Sequence, residues 1–400
     1  MVANIAQVRT DGPPDHQHGR AFFVGRHAVA QLFLWSGLYY LFPALAAHIL
    51  AETGWMAQHL TASFTAGFLL WAFVSPWVGR TIDRGQGTRA MRAGAVLGAV
   101  LLVAMSQAQS IAGFAPFMVL LGVPMAATLY DPCFALMLRR FGTSGGSSVA
   151  IVTLIAGFAT LLTFPLVNWM LEHSGWRSVM LAAAALVLVA GLMIPSEGVP
   201  PAAANVPDPS PATGRASRNV LVIGLAFSFV MFSHAAVLFS LPVQLLEVPE
   251  TAGFELILPA LLGPAQIVGR LVCAPLVRHC NPVVAVRGIF ALMLVPPLAL
   301  LVLPYRVETI LPILLLQGAG YGMHTILRPV LARQYIPPFR LGRDLGLIAM
   351  IGLVMMAMGP AAGGALWQWA GFRALAGVLL AMNLAGLVLL LWLPRRGAWQ

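Results

Sequence analysis

Three charged side chains lie far inside long apolar stretches of this sequence: Asp131, Arg270 and Arg328. Asp131 stands eight residues before Arg139, so at 1.5 Å per helical residue it lies about 12 Å from that charged boundary. Arg328 stands nine residues before Pro337 and lies about 13.5 Å deep by the same rise. Burying such a charge in a bilayer costs at least about 2.5–3.5 kcal/mol, so each needs a partner or a function. A guanidinium binds carboxylates with two bonds, and a carboxylate can take up a proton.

Asp131 and Arg328 are each followed by proline, at matching places in two similar halves of the chain. We expect the two side chains to form an ion pair or to flank the same water-filled cavity. An anionic ligand would then compete with Asp131 for Arg328, while Asp131 takes a proton. The alternative is a buried ion pair with a structural role only.

A polar stripe runs along the same segment as Arg328. Gln317, Tyr321, His324 and Arg328 are spaced by four, three and four residues, which keeps them on one helix face. We expect this face to line a cavity, and hydrogen bonding between helices is the alternative. His324 could carry a proton near neutral pH, although a buried histidine with only a structural hydrogen bond is the simpler interpretation.

Further polar side chains lie near the middle of other apolar stretches. Gln266 precedes Arg270 by one helical turn, and the pair could anchor a substrate. Alternatively, the long Arg270 side chain reaches the membrane surface. Tyr39, Tyr40 and His234 lie away from the interfacial belt where aromatic residues collect, and they are further candidates to line a cavity.

The composition excludes an ordinary soluble enzyme, a disordered chain and a disulfide scaffold. Of 400 residues, 59% are apolar and 9% charged, whereas soluble domains have about 45–50% and 25%. An all-α protein that crosses a membrane many times remains. No nucleotide loop, H-E-x-x-H motif or Ser-His-Asp arrangement indicates catalysis, and the three dispersed cysteines indicate no metal site. We therefore expect no enzyme activity, no cofactor and no nucleic-acid partner.

Twelve apolar stretches are long enough to span a bilayer. They cover residues 27–50, 59–79, 91–110, 112–138, 147–171, 176–194, 219–246, 254–277, 283–304, 309–334, 345–367 and 373–393. The Pro- and Ala-rich segment between the sixth and the seventh predicts an extended linker. The predicted organisation is a tail (1–26), a six-helix bundle (27–194), a linker (195–219), a second bundle (220–393) and a tail (394–400).

The 23 basic residues are all arginine, and their distribution predicts the orientation in the membrane. With twelve spans, only Arg177, Arg306 and Arg373 fall in loops on the outer side, together with five glutamates. Because arginine is enriched on the cytoplasmic side, both termini are predicted to be cytoplasmic. The expected location is a bacterial-type plasma membrane, the inner membrane.

The two halves of the chain resemble each other at an offset of about 194–199 residues. Gly54-Trp55 matches Gly253-Phe254, and the triplet that begins at Gly175 matches the one that begins at Gly371. The two proline-linked charges match at the same offset. The repeat predicts two six-helix bundles related by a pseudo-two-fold axis along the membrane normal, with a site at their interface.

The segment after the second predicted span, GRTIDRGQGTR (residues 79–89), resembles the G-x-x-x-D-R-x-G-x-R signature of the major facilitator superfamily, with one extra residue before the last glycine. The resemblance covers the whole chain and implies twelve helices in two pseudo-symmetric bundles. It also implies secondary active transport by alternating access. The residues implied to form an inner gate are Gly79, Asp83, Arg84, Gly87 and Arg89.

Asp83 is implied by this resemblance to hold the two bundles together on the inner side. Its carboxylate has Arg84, Arg89 and Arg92 nearby in the sequence, and it could also accept hydrogen bonds from a helix N-terminus. The alternative is that these charges serve only as an orientation signal.

Two branches of the superfamily that transport different substrates share features with this sequence. The Gly-Pro-x-x-Gly-Gly run of drug–proton antiporters occurs here at Gly359, in the eleventh span rather than the fifth. Arg270 is similar to an eighth-helix arginine that binds the substrate carboxylate in the oxalate/formate and monocarboxylate branch. That arginine often follows an aspartate by four residues, where this chain has Gln266.

We therefore predict a transporter for a small organic anion, a carboxylate, moved by proton symport or by exchange. Efflux of a drug or amphipathic metabolite is the alternative. A membrane receptor or an integral membrane enzyme is a different class, which the repeat and the signature disfavour. The predicted partners are a small-molecule substrate, protons and the lipid bilayer, with the chain acting as a monomer.

Overall fold

The computed structural model of the chain describes residues 14–195, 217–246, 248–251, 258 and 261–394. These residues form helices joined by short turns, and no β-strand occurs among them. The protein is therefore all-α, as the composition predicts. Parts of the predicted tails and linker, residues 1–13, 196–216 and 395–400, lie outside the described residues.

The first half of the molecule (residues 14–195) begins with a long span that includes a π-helical segment, Trp35–Tyr40, between α1 and α2. Its helices are α1 (Pro14–Leu34), α2 (Leu41–Thr53), α3 (Ala57–Asp83), α4 (Gly87–Ser106), α5 (Ile111–Leu120), α6 (Gly122–Thr128), α7 (Tyr130–Phe141), α8 (Gly145–Ala156), α9 (Ala159–His173) and α10 (Trp176–Met193). The fourth predicted span thus consists of α5 to α7, and the fifth of α8 and α9.

The second half (residues 217–394) repeats this order with fewer interruptions. Its helices are α11 (Arg218–Leu246), α12 (Leu262–His279), α13 (Pro282–Leu292), α14 (Val295–Val302), α15 (Val307–Tyr335) and α16 (Leu341–Leu391). Short 3-10 turns cover Pro249–Thr251 and Pro338–Arg340. Within α16 the backbone bends at Gly371, where φ is 82°, a conformation that glycine adopts without strain.

In the described part of the chain, ten helices are long and apolar enough to cross a membrane. The last of them, Pro338–Leu391, contains both the eleventh and the twelfth predicted span, which meet at Gly371. Helix α12 is 18 residues long and occupies the position of the eighth predicted span. The start of that span, residues 252–257 and 259–260, lies outside the described residues.

We call the two ends of the molecule the Asp83 end and the Glu52 end, after a carboxylate residue that lies at each. Exposed tryptophans lie near both ends. Trp77 and Trp392 are near the Asp83 end, and Trp169 and Trp369 are near the Glu52 end. Tryptophan prefers the interface between lipid and water, so these side chains mark the two boundaries of the bilayer.

The backbones of the two halves are in direct contact at the Asp83 end, where α3 packs against the start of α16. Gly79 lies directly against the backbone of Gly342, and a Cβ atom on either glycine would overlap the other helix. Gly346, one turn further along α16, lies in the same way against the backbone of Ser75. Glycine at these positions allows the two backbones to touch.

Two arginines at the Asp83 end stabilise the ends of helices in the same way in each half. Arg92 of α4 donates to the carbonyl oxygen of Ile194 at 2.6 and 2.9 Å. Arg287 of α13 donates to the carbonyl oxygens of Leu390 and Leu393 at 3.0 and 2.9 Å. Carbonyl groups at a helix C-terminus lack partners within the helix, and a nearby cation satisfies them.

Candidate functional site

Asp131 and Arg328 form an ion pair between the two halves. Arg328 Nη2 donates to Asp131 Oδ1 at 2.6 Å, and both side chains are largely buried. The other terminal nitrogen of Arg328, Nη1, lies 3.8 Å from the sulfur atom of Met231. The pair is a charge-assisted bond between the midpoints of the fourth and tenth spans, where the repeat predicts that they meet.

A break in the fourth span positions Asp131. The backbone departs from helical geometry at Leu129, where ψ is −156°, and α7 begins at the next residue. Pro132 has no N–H group to bond the Thr128 carbonyl one turn earlier, and its ring crowds that carbonyl. Gln31 Nε2 donates to the Thr128 carbonyl instead, at 2.5 Å. Asp131 thereby lies in the first turn of a helix, where the helix dipole favours a carboxylate.

Arg270 is buried between the halves and does not reach the membrane surface, the alternative that its sequence position allowed. Its side chain is 5% exposed. Nη1 donates to the carbonyl oxygen of Thr153 in the first half at 3.3 Å, and Nη2 donates to Gln266 Oε1 at 3.4 Å. Gly157 makes room for the guanidinium, because a Cβ there would overlap it. Neither partner carries a negative charge.

The polar stripe of α15 divides into two edges. At 100° per residue, Arg328 and Tyr321 lie about 40° and about 60° around the helix from His324, and Gln317 lies between them and His324 at about 20°. Arg328 accordingly reaches the first half. His324 Nε2 donates to the carbonyl oxygen of Phe227 at 3.0 Å, a hydrogen bond within the second half. Gln317 lines a small apolar pocket with Ser233, also inside the second half.

The structure therefore separates residues that the stripe grouped together. His324 has the interhelical hydrogen bond that was the alternative to lining a cavity. Tyr321 stacks on His234, with ring centroids 3.7 Å apart and an interplanar angle of 7°. The amide of Gln317 and the hydroxyl of Ser233 are buried and make no hydrogen bond to the described residues.

The first half has a cluster of aromatic side chains of its own. The π-helical segment carries Trp35, Tyr39 and Tyr40, whose rings contact one another. Trp35 also packs against Tyr130, with centroids 4.5 Å apart. A π-helical turn inside an α-helix is frequent at functional sites, and here it groups three rings at mid-span.

Tyr130 is the site residue that our sequence reasoning missed. It adjoins Asp131 and begins α7, so its ring lies at the break in the fourth span. The hydroxyls of Tyr40, Tyr130 and Tyr321 are all within electrostatic range of Arg270. The sequence feature that could have identified Tyr130 is its position beside Asp131, which is followed by a proline.

The signature residues meet the second half at the start of α16. Asp83 accepts hydrogen bonds from the backbone N–H groups of Gly342 at 2.8 Å and Arg343 at 2.9 Å. Arg139 Nη1 lies 3.9 Å from Asp83 Oδ1 and also donates to the carbonyl oxygen of Ile82. The carboxylate thus links the first half to a helix N-terminus of the second, which is the contact expected of it.

The arginines that are near Asp83 in the sequence do not form ion pairs with it. Arg84 and Arg89 are exposed at the surface, and Arg92 donates to Ile194 instead. Side chains at the end of one helix diverge into solvent, whereas Arg139 comes from α7, which packs beside α3. Another residue of the signature, Gly87, is buried against the side chain of Leu136.

Comparison with known proteins identifies the family. The family model described as Major Facilitator Superfamily matches residues 27–315. Two solved structures share the fold, each with a TM-score of 0.72. One, the human organic anion transporter MFSD10 (TETRAN), is 17% identical, and the alignment covers 95% of this chain and 100% of that one.

The other solved structure is a bacterial homologue of the iron transporter ferroportin in an outward-facing state. It is 14% identical, and the alignment covers 93% of this chain and 98% of that one. No curated protein matched the sequence. Within the described ranges, no group of three or more His, Cys, Asp or Glu side chains could hold a metal ion. The chain belongs to the Major Facilitator Superfamily and is an integral membrane transporter, not an enzyme.

Proposed function

We propose that the protein moves a small organic anion, a carboxylate, across the membrane by alternating access, with proton symport or exchange as the driving process. The observation that carries this proposal is the Asp131–Arg328 ion pair, which joins the two halves at mid-span. A buried ion pair contributes little stability beyond an apolar pair of the same size, so its presence favours a functional role.

The chemistry of the pair suggests how substrate and proton act together. A substrate carboxylate offers Arg328 the same two oxygen acceptors as Asp131 does. When the substrate binds Arg328, Asp131 would be left as a buried, unpaired anion, which is costly unless it takes a proton. Substrate and proton together therefore replace the bond between the halves, and the halves are free to move apart.

The proposed orientation has both termini and the Asp83 end in the cytoplasm, with the protein in a bacterial inner membrane. Its support is the excess of arginine on that side. The backbone contact at Gly79 and Gly342 closes the Asp83 end, so the conformation corresponds to a site shielded from the cytoplasm. One protein with the same fold, MFSD10, is an organic anion transporter, in agreement with the proposed substrate class.

The test is uptake of organic anions into proteoliposomes that contain the purified protein. We expect a proton gradient to drive uptake in the wild type. Asp131→Asn should abolish this dependence, because an amide takes up no proton at physiological pH. Exchange of internal for external substrate should persist in Asp131→Asn, because exchange requires no net proton movement.

The matched control is Glu308→Gln, which removes an exposed carboxylate from the helix that carries Arg328. It should transport like the wild type. Proton-driven uptake of normal magnitude in Asp131→Asn would refute the coupling role. Transport of dyes or amphipathic cations, with no anion transported, would favour drug efflux instead.

A further inference from the structure

We propose that the substrate is a monovalent aromatic carboxylate, whose carboxylate binds Arg270 and whose ring lies between aromatic side chains of the two halves. This inference rests on the proposed function and narrows its substrate class. It depends on three observations: an uncompensated charge, unused hydrogen-bond donors, and aromatic walls on both sides.

The charges between the halves do not balance. Among the described residues, three charged side chains lie there at mid-span, and Asp131 and Arg328 neutralise each other. Arg270 is 5% exposed, and its hydrogen bonds to the described residues are to a carbonyl and an amide oxygen only. A buried, uncompensated cation is costly. Before the ligand displaces Asp131 from Arg328, one negative charge on the ligand at Arg270 makes the site neutral, whereas two would leave a buried excess.

The same guanidinium has an unused donor. Arg270 Nε is buried and makes no hydrogen bond with any described residue, and its two other contacts are long, at 3.3 and 3.4 Å. The hydroxyls of Tyr40, Tyr130 and Tyr321 are within electrostatic range of it, and they too make no hydrogen bond within the described ranges. A planar guanidinium edge with phenolic donors is suited to a carboxylate.

The walls of this space are aromatic on both sides. The first half contributes Trp35, Tyr40 and Tyr130, with centroids 4.5–5.9 Å from Trp35 to the two tyrosines. The second half contributes Tyr321 stacked on His234. The side chains of Trp35, Tyr40, Tyr130 and Tyr321 are only half-buried, so part of each remains accessible to a ligand. Stacked or edge-to-face rings contribute affinity beyond the area they bury, which favours a planar aromatic ligand.

The experiment compares three probes on the full-length protein in detergent and in proteoliposomes. Benzoate is an aromatic monoanion, cyclohexanecarboxylate has the same charge without an aromatic ring, and phthalate is an aromatic dianion. We expect benzoate to raise the unfolding temperature and to exchange at concentrations about tenfold lower than either of the others. Equal or better binding of cyclohexanecarboxylate or phthalate would overturn the inference.

Variants connect the preference to the site. Tyr321→Phe keeps the ring and removes the hydroxyl, and it should weaken benzoate binding several-fold. Tyr335→Phe is the matched control on the same helix, because the Tyr335 hydroxyl donates to the Pro394 carbonyl far from Arg270. Arg270→Lys keeps the charge but loses the planar fork, and it should reduce benzoate binding more than Tyr321→Phe does.

Two kinds of failure are distinguishable. Proton-driven uptake of aliphatic carboxylates that depends on Asp131, with no preference for benzoate, would retain the proposed function and reject the aromatic class. No transport of these three anions, and none of any aliphatic carboxylate either, would reject both. Unchanged benzoate binding in both Tyr321→Phe and Arg270→Lys would also refute the site. The comparison of the three probes uses the wild-type protein, so its outcome does not depend on whether the variants fold.

Discussion

The fourth and tenth spans carry matching pairs, Asp131–Pro132 and Arg328–Pro329, but their backbones differ. The fourth span is interrupted at Leu129, and Asp131 lies in the first turn of the helix that follows. Pro329 lies inside α15, a continuous helix of 29 residues. The same dipeptide position in the repeat therefore produces a break in one half and an unbroken helix in the other.

This difference follows from what each charged side chain needs. A short carboxylate gains from the free N–H groups and the dipole at a helix start, which the break provides. A long guanidinium can reach across from an intact helix and needs no such terminus. The carbonyl that the break frees, at Thr128, is satisfied by Gln31 from the first span. The two halves have thus specialised, one to hold the anion and the other to hold the cation of the pair.

Separating the charges should have the largest effect. Asp131→Leu leaves Arg328 buried without a carboxylate, and we expect a loss of about 3–5 kcal/mol in the free energy of unfolding. The double variant Asp131→Leu/Arg328→Met should recover most of that loss while remaining inactive in transport. Thermal unfolding of the purified proteins measures both. Equal stability of the single and double variants would contradict a direct bond between the two side chains.

Restoring the helix in the fourth span tests whether the break matters. Pro132→Ala supplies an N–H group for the Thr128 carbonyl, which continues the helix and displaces Gln31. Asp131 should then turn away from Arg328, and we expect the rate of proton-driven uptake to fall about tenfold, equivalent to about 1.4 kcal/mol. Pro329→Ala, in a helix that is already continuous, is the control and should change uptake less. If both substitutions lowered proton-driven uptake equally, the break in the fourth span would have no role that the continuous tenth span lacks.

Substitutions of the arginines that bind helix C-termini at the Asp83 end should have the smallest effect on stability. The effect should also differ least between the two halves. Arg92→Gln and Arg287→Gln each weaken hydrogen bonds to terminal carbonyls, and we expect each to lower stability by about 1 kcal/mol. Arg80→Gln, which removes an exposed arginine of α3, should leave the unfolding temperature unchanged. A large loss in only one half would show that the specialisation extends beyond the centre of the molecule.

Asp83 illustrates how far the sequence could predict a contact. The prediction that it accepts bonds from a helix N-terminus is met by Gly342 and Arg343. The cation that lies 3.9 Å from it, Arg139, comes from another helix and not from the neighbouring sequence. Neighbours along a chain are known from the sequence, but neighbours across a helix interface depend on how the helices rotate and pack.

The sequence alone determined the all-α membrane fold and the location of most of its long apolar helices. The reason is that a bilayer requires about 20 apolar residues per span and internal hydrogen bonding of the backbone, and both are local properties. Tertiary structure decided which residues of the α15 stripe face the other half, that Arg270 turns inward, and that Tyr130 joins the site. These depend on a helix break and on rotations of less than one turn, which a periodic pattern does not resolve.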